Sequence, residues 1–349
     1  MPCPGCGGRL VLPQHDGPRA WLIPARLGVM PRRRVAVTFV AWLPRGDGAV
    51  AERTARNVGP SRIEVAYERF GDPAAPPVLL IMGAGAQMIH WPEGFCTELV
   101  GRGVQVIRFD NRDAGRSTHF ADAPWPDLAA ALAGESSSVP YTLSDMAADT
   151  AGLLEALGFG SAHLVGASLG GMIAQTVAIE YPDRVRSLTS MMSTTGDRRV
   201  GQPDFTVIGG LGAPLADRQG FINWQVRAFR VVGSPGFEFD EAALADRAGR
   251  AYDRGHDPLG MLRQSLAALA SGDRTQRLRA LRVPSLVIHG ADDVMCHVSG
   301  GRATAAAIPG AELVIIDGMG HSLPRPLWPE LATRITDLVH RAEAIRTAR

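Results

Sequence analysis

The stretch Ala162-His163-Leu164-Val165-Gly166-Ala167-Ser168-Leu169-Gly170-Gly171 decides how the chain is read. Its first half, His163 to Gly166, predicts a short buried strand, and its second half opens a helix running from Leu169 to about Glu180. Between them, Gly166-Ala167-Ser168-Leu169-Gly170 fits a G-x-S-x-G turn, and the reason for that spacing is steric. A serine at a tight strand-to-helix turn sits on strained backbone. Side chains two residues to either side would collide with the neighbouring strand and helix, and glycine relieves both collisions. The turn exposes the Ser168 hydroxyl at the sheet edge and puts the Leu169 N–H at a helix N-terminus, where negative charge is stabilised. The bland alternative is a glycine-rich turn carrying a solvated serine. The strand before it and the helix after it argue against that.

Working outward, the 349 residues suffice for one large α/β domain or two ordinary ones. A hydrophobic content of 46% with 20% charged residues supports a real core. The net charge of +1 points to no polyanionic partner, so nucleic acid is not expected. No apolar run reaches the roughly eighteen residues a membrane span needs, and the expected location is the cytoplasm. The four cysteines, Cys3, Cys6, Cys96 and Cys296, are too scattered for a disulfide framework.

Residues 1–57 do not resemble the rest and are expected to be a disordered or non-native extension, with the folded body at 58–349. Cys3-Pro4-Gly5-Cys6-Gly7 looks like half a zinc knuckle, but a second pair of ligands is missing. Arg32-Arg33-Arg34 and the apolar Val35 to Leu43 resemble a secretion signal, which Arg45 and Asp47 interrupt. From Ser61 the pattern becomes regular. Arg62 to Glu68 alternates as a half-solvated antiparallel strand does. Val78 to Met82 is a continuous apolar run, the mark of a strand buried on both faces, and Val104 to Phe109 reads as a second buried strand. The first of these ends in Gly83-Ala84-Gly85-Ala86, a small-residue loop that lets backbone N–H groups approach a ligand. The charged stretch Asp110 to Ser117 is read as a turn whose Asp and Arg side chains bind backbone and each other. Ser144 to Leu157 is a helix, and Val185 to Met192 a further strand.

Residues 196 to about 275 break the strand–helix alternation with helical patterns and large apolar residues from Phe205 to Leu262. They read as a cap laid over the carboxyl edge of the sheet, a few of them lining a pocket. Strands resume at Ser285 to His289 and Glu312 to Ile316, and a last helix covers about Pro329 to Ile345. Such alternation argues for a mostly parallel sheet covered on both faces, with ligands at the strands' carboxyl ends.

Ser168, an aspartate of the Asp292-Asp293 pair and His321 all fall at such ends, in the order Ser…Asp…His. Nucleophilic acyl transfer needs this set because a serine hydroxyl is a poor nucleophile until a base takes its proton. His321 supplies the base, and the aspartate fixes its tautomer. Asp293 is chosen because it lies three residues after Gly290; Asp292 is the fallback and Asp197 a distant third. The oxyanion falls between the N–H groups of Leu169 and Ala84.

With these residues in hand, the chain from about residue 58 resembles the α/β-hydrolases, and within them the family of aclacinomycin methylesterase. The similar stretches are Phe70-Gly71-Asp72-Pro73-Ala74, Leu79 to Gly83, Trp91-Pro92, Val106-Ile107-Arg108 with Asp110, Arg112-Asp113, Gly115-Arg116-Ser117-Thr118 and Ile315 to His321. The resemblance implies an eight-stranded, mostly parallel sheet with one antiparallel strand, helices on both faces and a helical cap. It also implies Ser168 as nucleophile, Asp293 as acid, His321 as base, Ala84 and Leu169 as oxyanion donors, and neither cofactor nor metal. The expected function is hydrolysis of a small or medium apolar ester, so the partner is a small molecule. A cofactor-free perhydrolase or haloperoxidase with the same triad, and a ligand-binding receptor without turnover, are the alternatives.

Overall fold

The computed structural model describes residues 51–133, 138–212 and 217–348. The Cys3/Cys6 pair and the signal-like stretch therefore lie outside the described residues. In chain order, β1 (Arg53–Val58), β2 (Ile63–Phe70) and β3 (Pro77–Ile81) precede α1 (Glu93–Val100) and β4 (Gln105–Phe109). Then follow α2 (Leu128–Leu132), α3 (Leu143–Ala156), β5 (Ala162–Ala167), α4 (Leu169–Glu180) and β6 (Val185–Met191). The insertion after β6 carries α5 (Phe205–Ile208), α6 (Arg218–Val232), α7 (Glu241–Gly255) and α8 (Pro258–Ser271). The chain closes with α9 (Thr275–Leu278), β7 (Ser285–Gly290), α10 (Ser299–Ala307), β8 (Glu312–Ile316) and α11 (Trp328–Thr347).

The strands form one eight-stranded sheet in the order β1-β2-β4-β3-β5-β6-β7-β8. Only β2 runs against its neighbours, pairing antiparallel with both β1 and β4, while every other pair is parallel. The one antiparallel strand and the strand count agree with expectation. The folded body begins earlier than residue 58, however, because β1 already starts at Arg53 and pairs Arg53 with Tyr67.

The period-2 geometry of a strand sends neighbouring residues to opposite faces, and the cores follow it. Leu79, Ile81, Ile107 and Leu164 face one core, covered by α3 and α4 through Leu153, Leu154, Ile173 and Val177. Val78, Leu80, Val106 and Val165 face the other, covered by α1 and α11 through Phe95, Leu99, Leu331, Ile335 and Leu338. The continuous apolar run was therefore the right signal for β3, and β4 to β7 are nearly all buried as well, although Gln105 and Arg108 interrupt β4 and Arg186, Ser187, Thr189 and Ser190 interrupt β6. Among the described residues, no helix is long and apolar enough to cross a membrane.

The strand order sets where a ligand can sit. From β3 the chain crosses to β4 on one side, and from β5 it crosses to β6 on the other. The loops after β3 and β5 therefore diverge and leave a crevice at their carboxyl ends. Those two loops carry Gly83 to Ala86 and Ser168.

Candidate active site

Ser168 stands between β5 and α4 with φ 56° and ψ −122°, a backbone conformation a non-glycine residue seldom adopts. Holding it costs about 1–3 kcal/mol, which the surroundings must supply. They do so through the Ser168 N–H, which donates to the Met191 carbonyl at 2.9 Å, and through Ser193 Oγ, which donates to the Ser168 carbonyl at 2.7 Å. The flanking glycines follow the steric argument. A Cβ on Gly166 would strike the Gly170 carbonyl, and one on Gly170 would strike the Ile81 carbonyl of β3. Helix and strands pack backbone to backbone around the serine, and it remains half-buried.

The loop after β3 is a tight turn beside it. Ala86 N–H donates to the Gly83 carbonyl at 3.2 Å, and Gly85 has φ +67°, as the third position of a type II turn requires. A Cβ on Gly83 would lie 3.0 Å from Ser168 Cβ and 3.5 Å from its Oγ. Because the peptide is trans and planar, a Gly83 carbonyl directed into the turn directs the Ala84 N–H out of it. The Leu169 N–H opens the first turn of α4, where helix N–H groups have no partner within the helix. Ala84 and Leu169, named from the sequence as donors, thus follow directly on Gly83 and Ser168, the two residues that approach each other here.

His321 and the two aspartates come from the loops after β8 and β7. His321 Nδ1 and Asp293 Oδ2 are 2.7 Å apart, and Asp293 Oδ1 accepts the N–H groups of Met295 and Cys296 at 2.9 and 2.8 Å. Burial alone would push the Asp293 carboxyl up. The His321 charge, the hydrogen bonds from His289 and His321 and that of the Cys296 N–H outweigh it and hold the carboxyl well below the usual carboxylate range. Asp292 instead accepts the Gly318 N–H at 2.8 Å and caps the turn leading to His321. Asp197 pairs with Arg199 at 2.6 Å. Among the described residues, Ser168 Oγ and His321 make no hydrogen bond to each other; such bonds commonly tighten when substrate binds.

The charged stretch after β4 is structural, as expected, although its partners lie mostly on other elements. Asp110 accepts the Met88 and Arg116 N–H groups and pairs with Arg254 of α7 at 2.9 Å. Arg112 pairs with Asp149 of α3 at 2.6 Å, and Asp113 with Arg263 of α8 at 2.8 Å. Asp113, His119 and Asp257 could together approach a metal ion. Arg263 already bonds both carboxylates, at 2.8 and 2.5 Å, and provides the positive charge a cation would bring.

The insertion does more than cover the sheet. His321 N–H donates to the Val232 carbonyl at the end of α6 at 2.7 Å, and Gly320 N–H to Ser234 Oγ at 3.1 Å, so the cap braces the histidine loop. Gln264 of α8 reaches the turn beside Ser168. A cavity of about 640 Å³ opens beside Asp293, lined by Asp292, Asp293 and His297 with Phe229, Phe237 and Phe239 of the insertion. Ser168 and His321 do not line it. Sequence reasoning missed Gln264 and Ser234. The one available signal was the polar pair Arg263-Gln264 inside an otherwise apolar helical stretch.

A family model described as alpha/beta hydrolase fold matches residues 76–324. The chain is 29% identical over 295 residues to a rhodomycin D methylesterase of Streptomyces peucetius, over 77% of this chain and 92% of that one. It is 28% identical over 255 residues to a poly(3-hydroxyalkanoate) depolymerase of Ectopseudomonas oleovorans, over 72% of this chain and 80% of that one. An esterase structure from a Rhodococcus species superimposes with a TM-score of 0.61 at 21% identity, over 82% of this chain and 99% of that one.

Proposed function

Because the chain belongs to the family of the α/β-hydrolase fold, we propose that it is a serine hydrolase cleaving carboxylic esters of small or medium apolar substrates. The observation that carries this reading is the Asp293–His321 pair at 2.7 Å, following a strained serine in the order Ser…Asp…His. In the first half-reaction Ser168 Oγ attacks the ester carbonyl carbon while His321 Nε2 takes the hydroxyl proton. Asp293 accepts from Nδ1–H, holding that tautomer and stabilising the imidazolium. The carbonyl electrons move to an oxyanion between the Ala84 and Leu169 N–H groups, each donor worth about 3–4 kcal/mol in comparable sites. Collapse expels the alcohol, which leaves with the proton from His321, and an acyl-enzyme remains. Water then attacks the acyl carbon through the same base, releasing the acid and restoring the serine.

The reading is tested on p-nitrophenyl esters of rising acyl length and with a fluorophosphonate probe. Ser168→Ala is expected to abolish labelling and lower kcat by about 10⁴–10⁶-fold, with circular dichroism unchanged because the side chain is not part of the core. A mutant keeping more than a tenth of the activity refutes the assignment. A wild-type chain that binds such esters without turning them over is a receptor.

A further inference from the structure

The Gly83–Ala86 turn is anchored from the cap. Gln264 on α8 is completely buried, and its side-chain amide bridges two loops distant in sequence. Its Oε1 accepts the Gly85 N–H at 2.8 Å, and its Nε2 donates to the Arg112 carbonyl at 2.6 Å. The amide has one satisfied orientation, since turning it over would set its NH₂ against the Gly85 N–H and its oxygen against the Arg112 carbonyl. The Gly85 N–H belongs to the middle peptide of the turn, the peptide whose orientation separates a type II turn from a type I turn. A flipped peptide would point the Ala84 carbonyl at Gln264 Oε1, acceptor against acceptor. Gln264 therefore favours one of two turn conformations.

The anchor itself is fixed. Arg112 is held by Asp149, and the preceding helix residue, Arg263, bonds both Asp113 oxygens at 2.8 Å, locking α8 onto the loop after β4. Met261, one turn earlier, lies so close to Gly85 that a Cβ there would be 2.7 Å from Met261 Cβ. One turn of a cap helix thus both presses on the loop and bonds its central peptide.

We infer that Gln264 is a positioning residue that anchors the turn at the peptide next to the one carrying the Ala84 N–H, and so fixes where that donor stands beside Ser168, coupling the cap to the chemistry; this rests on the serine-hydrolase reading above. An oxyanion donor acts only as negative charge develops, so its misplacement lowers kcat and leaves KM nearly unchanged.

The test compares p-nitrophenyl acetate with its thiono analogue, whose C=S sulfur is a larger and weaker hydrogen-bond acceptor and profits less from an oxyanion hole. Gln264→Met keeps the length and removes both bonds. It is expected to lower kcat on the oxygen ester at least about tenfold with KM within twofold, since misplacement by about 1 Å can cost about 10²-fold. The thionoester should lose less, so the oxygen-to-sulfur ratio of kcat/KM falls severalfold. Gln264→Glu, which keeps an acceptor for the Gly85 N–H, should retain the wild-type ratio even if both rates drop. If Gln264→Met does not fold, Gln264→Asn, too short to span both loops, must show the same fall. An unchanged ratio in the Met or Asn variant overturns the inference, because a smaller folded fraction scales both substrates alike. Ester hydrolysis that survives Ser168→Ala would instead overturn the parent reading. Serine-dependent hydrolysis with an unchanged ratio removes the positioning role alone.

Discussion

Asp292 and Asp293 share a peptide bond and face different partners. Asp293 spends one oxygen on two backbone N–H groups and aims the other at His321. Asp292 holds the Gly318 N–H from the edge of the same site. Asp293→Asn would offer His321 a neutral amide able to hold the wrong tautomer, and the corresponding change in a serine protease costs about 10⁴ in kcat. Asp292→Asn still presents an oxygen to Gly318 and is expected to cost less than about tenfold. Both are measured on one p-nitrophenyl ester, and the reverse ranking would move the acid to Asp292. That Asp293 rather than Asp292 meets His321 was legible because the cue is local. Three residues after Gly290 the chain has turned toward the next loop, and a Cβ on Gly290 would strike the Met319 carbonyl there. Gln264 was not legible, because what it bonds is backbone more than 150 residues away, and no spacing in its own helix encodes that.

At the scale of elements, α4 begins and ends where its sequence pattern does, at Leu169 and Glu180. The first strand was the one hidden. In Arg53-Thr54-Ala55-Arg56-Asn57-Val58 only Ala55 and Val58 are buried, three residues apart rather than two. The cause is a register shift between those residues, with Asn57 at φ 55°, which breaks the alternation a strand is recognised by. An element can also carry a titration. His163 of β5 is fully buried, with Nδ1 2.8 Å from Ser187 Oγ and Nε2 3.1 Å from Glu343 Oε1 on α11. Burial lowers its pKa, partly opposed by the Glu343 carboxylate, whose charge Arg186 and Arg346 share. The folded value thus lies below the unfolded value of about 6.5, and in that interval the unfolded chain binds the proton. Stability from this site is whole above about pH 6.5 and is lost as pH falls toward the folded value. His163→Gln should flatten that part of the Tm-against-pH curve. An acid limb as steep as in the wild type would show that His163 is charged in the fold.

Across the whole molecule, residues far apart in the chain meet at Arg254. This cap arginine pairs with Asp110 at 2.9 Å and with Glu52 at 2.7 Å, and it donates to Gln87 Oε1 at 2.5 Å. Glu52 also pairs with Arg116 at 3.1 Å. The residues just before and within β1 therefore tie the cap to the loops around the site, besides covering the edge of β2. Val58 and Ala55 of β1 join the core under α3. Two shortened chains separate these contributions from everything earlier. One beginning at Ala51 keeps Glu52 and the whole of β1; one beginning at Val58 removes Glu52 and all of β1 but its last residue. The second leaves Arg254 with one carboxylate instead of two and opens β2, whose unpaired N–H and C=O groups invite edge-to-edge association. Losing all but the last residue of a six-residue edge strand and a half-buried ion pair is expected to cost a few kcal/mol. At about 2–4 °C per kcal/mol for a domain of this order, Tm should fall roughly 5–10 °C below that of the Ala51 chain. Light scattering should also rise on concentration. Equal Tm and equal esterase activity for the two chains would show that β1 and Glu52 contribute nothing, and would return the start of the folded body to residue 58.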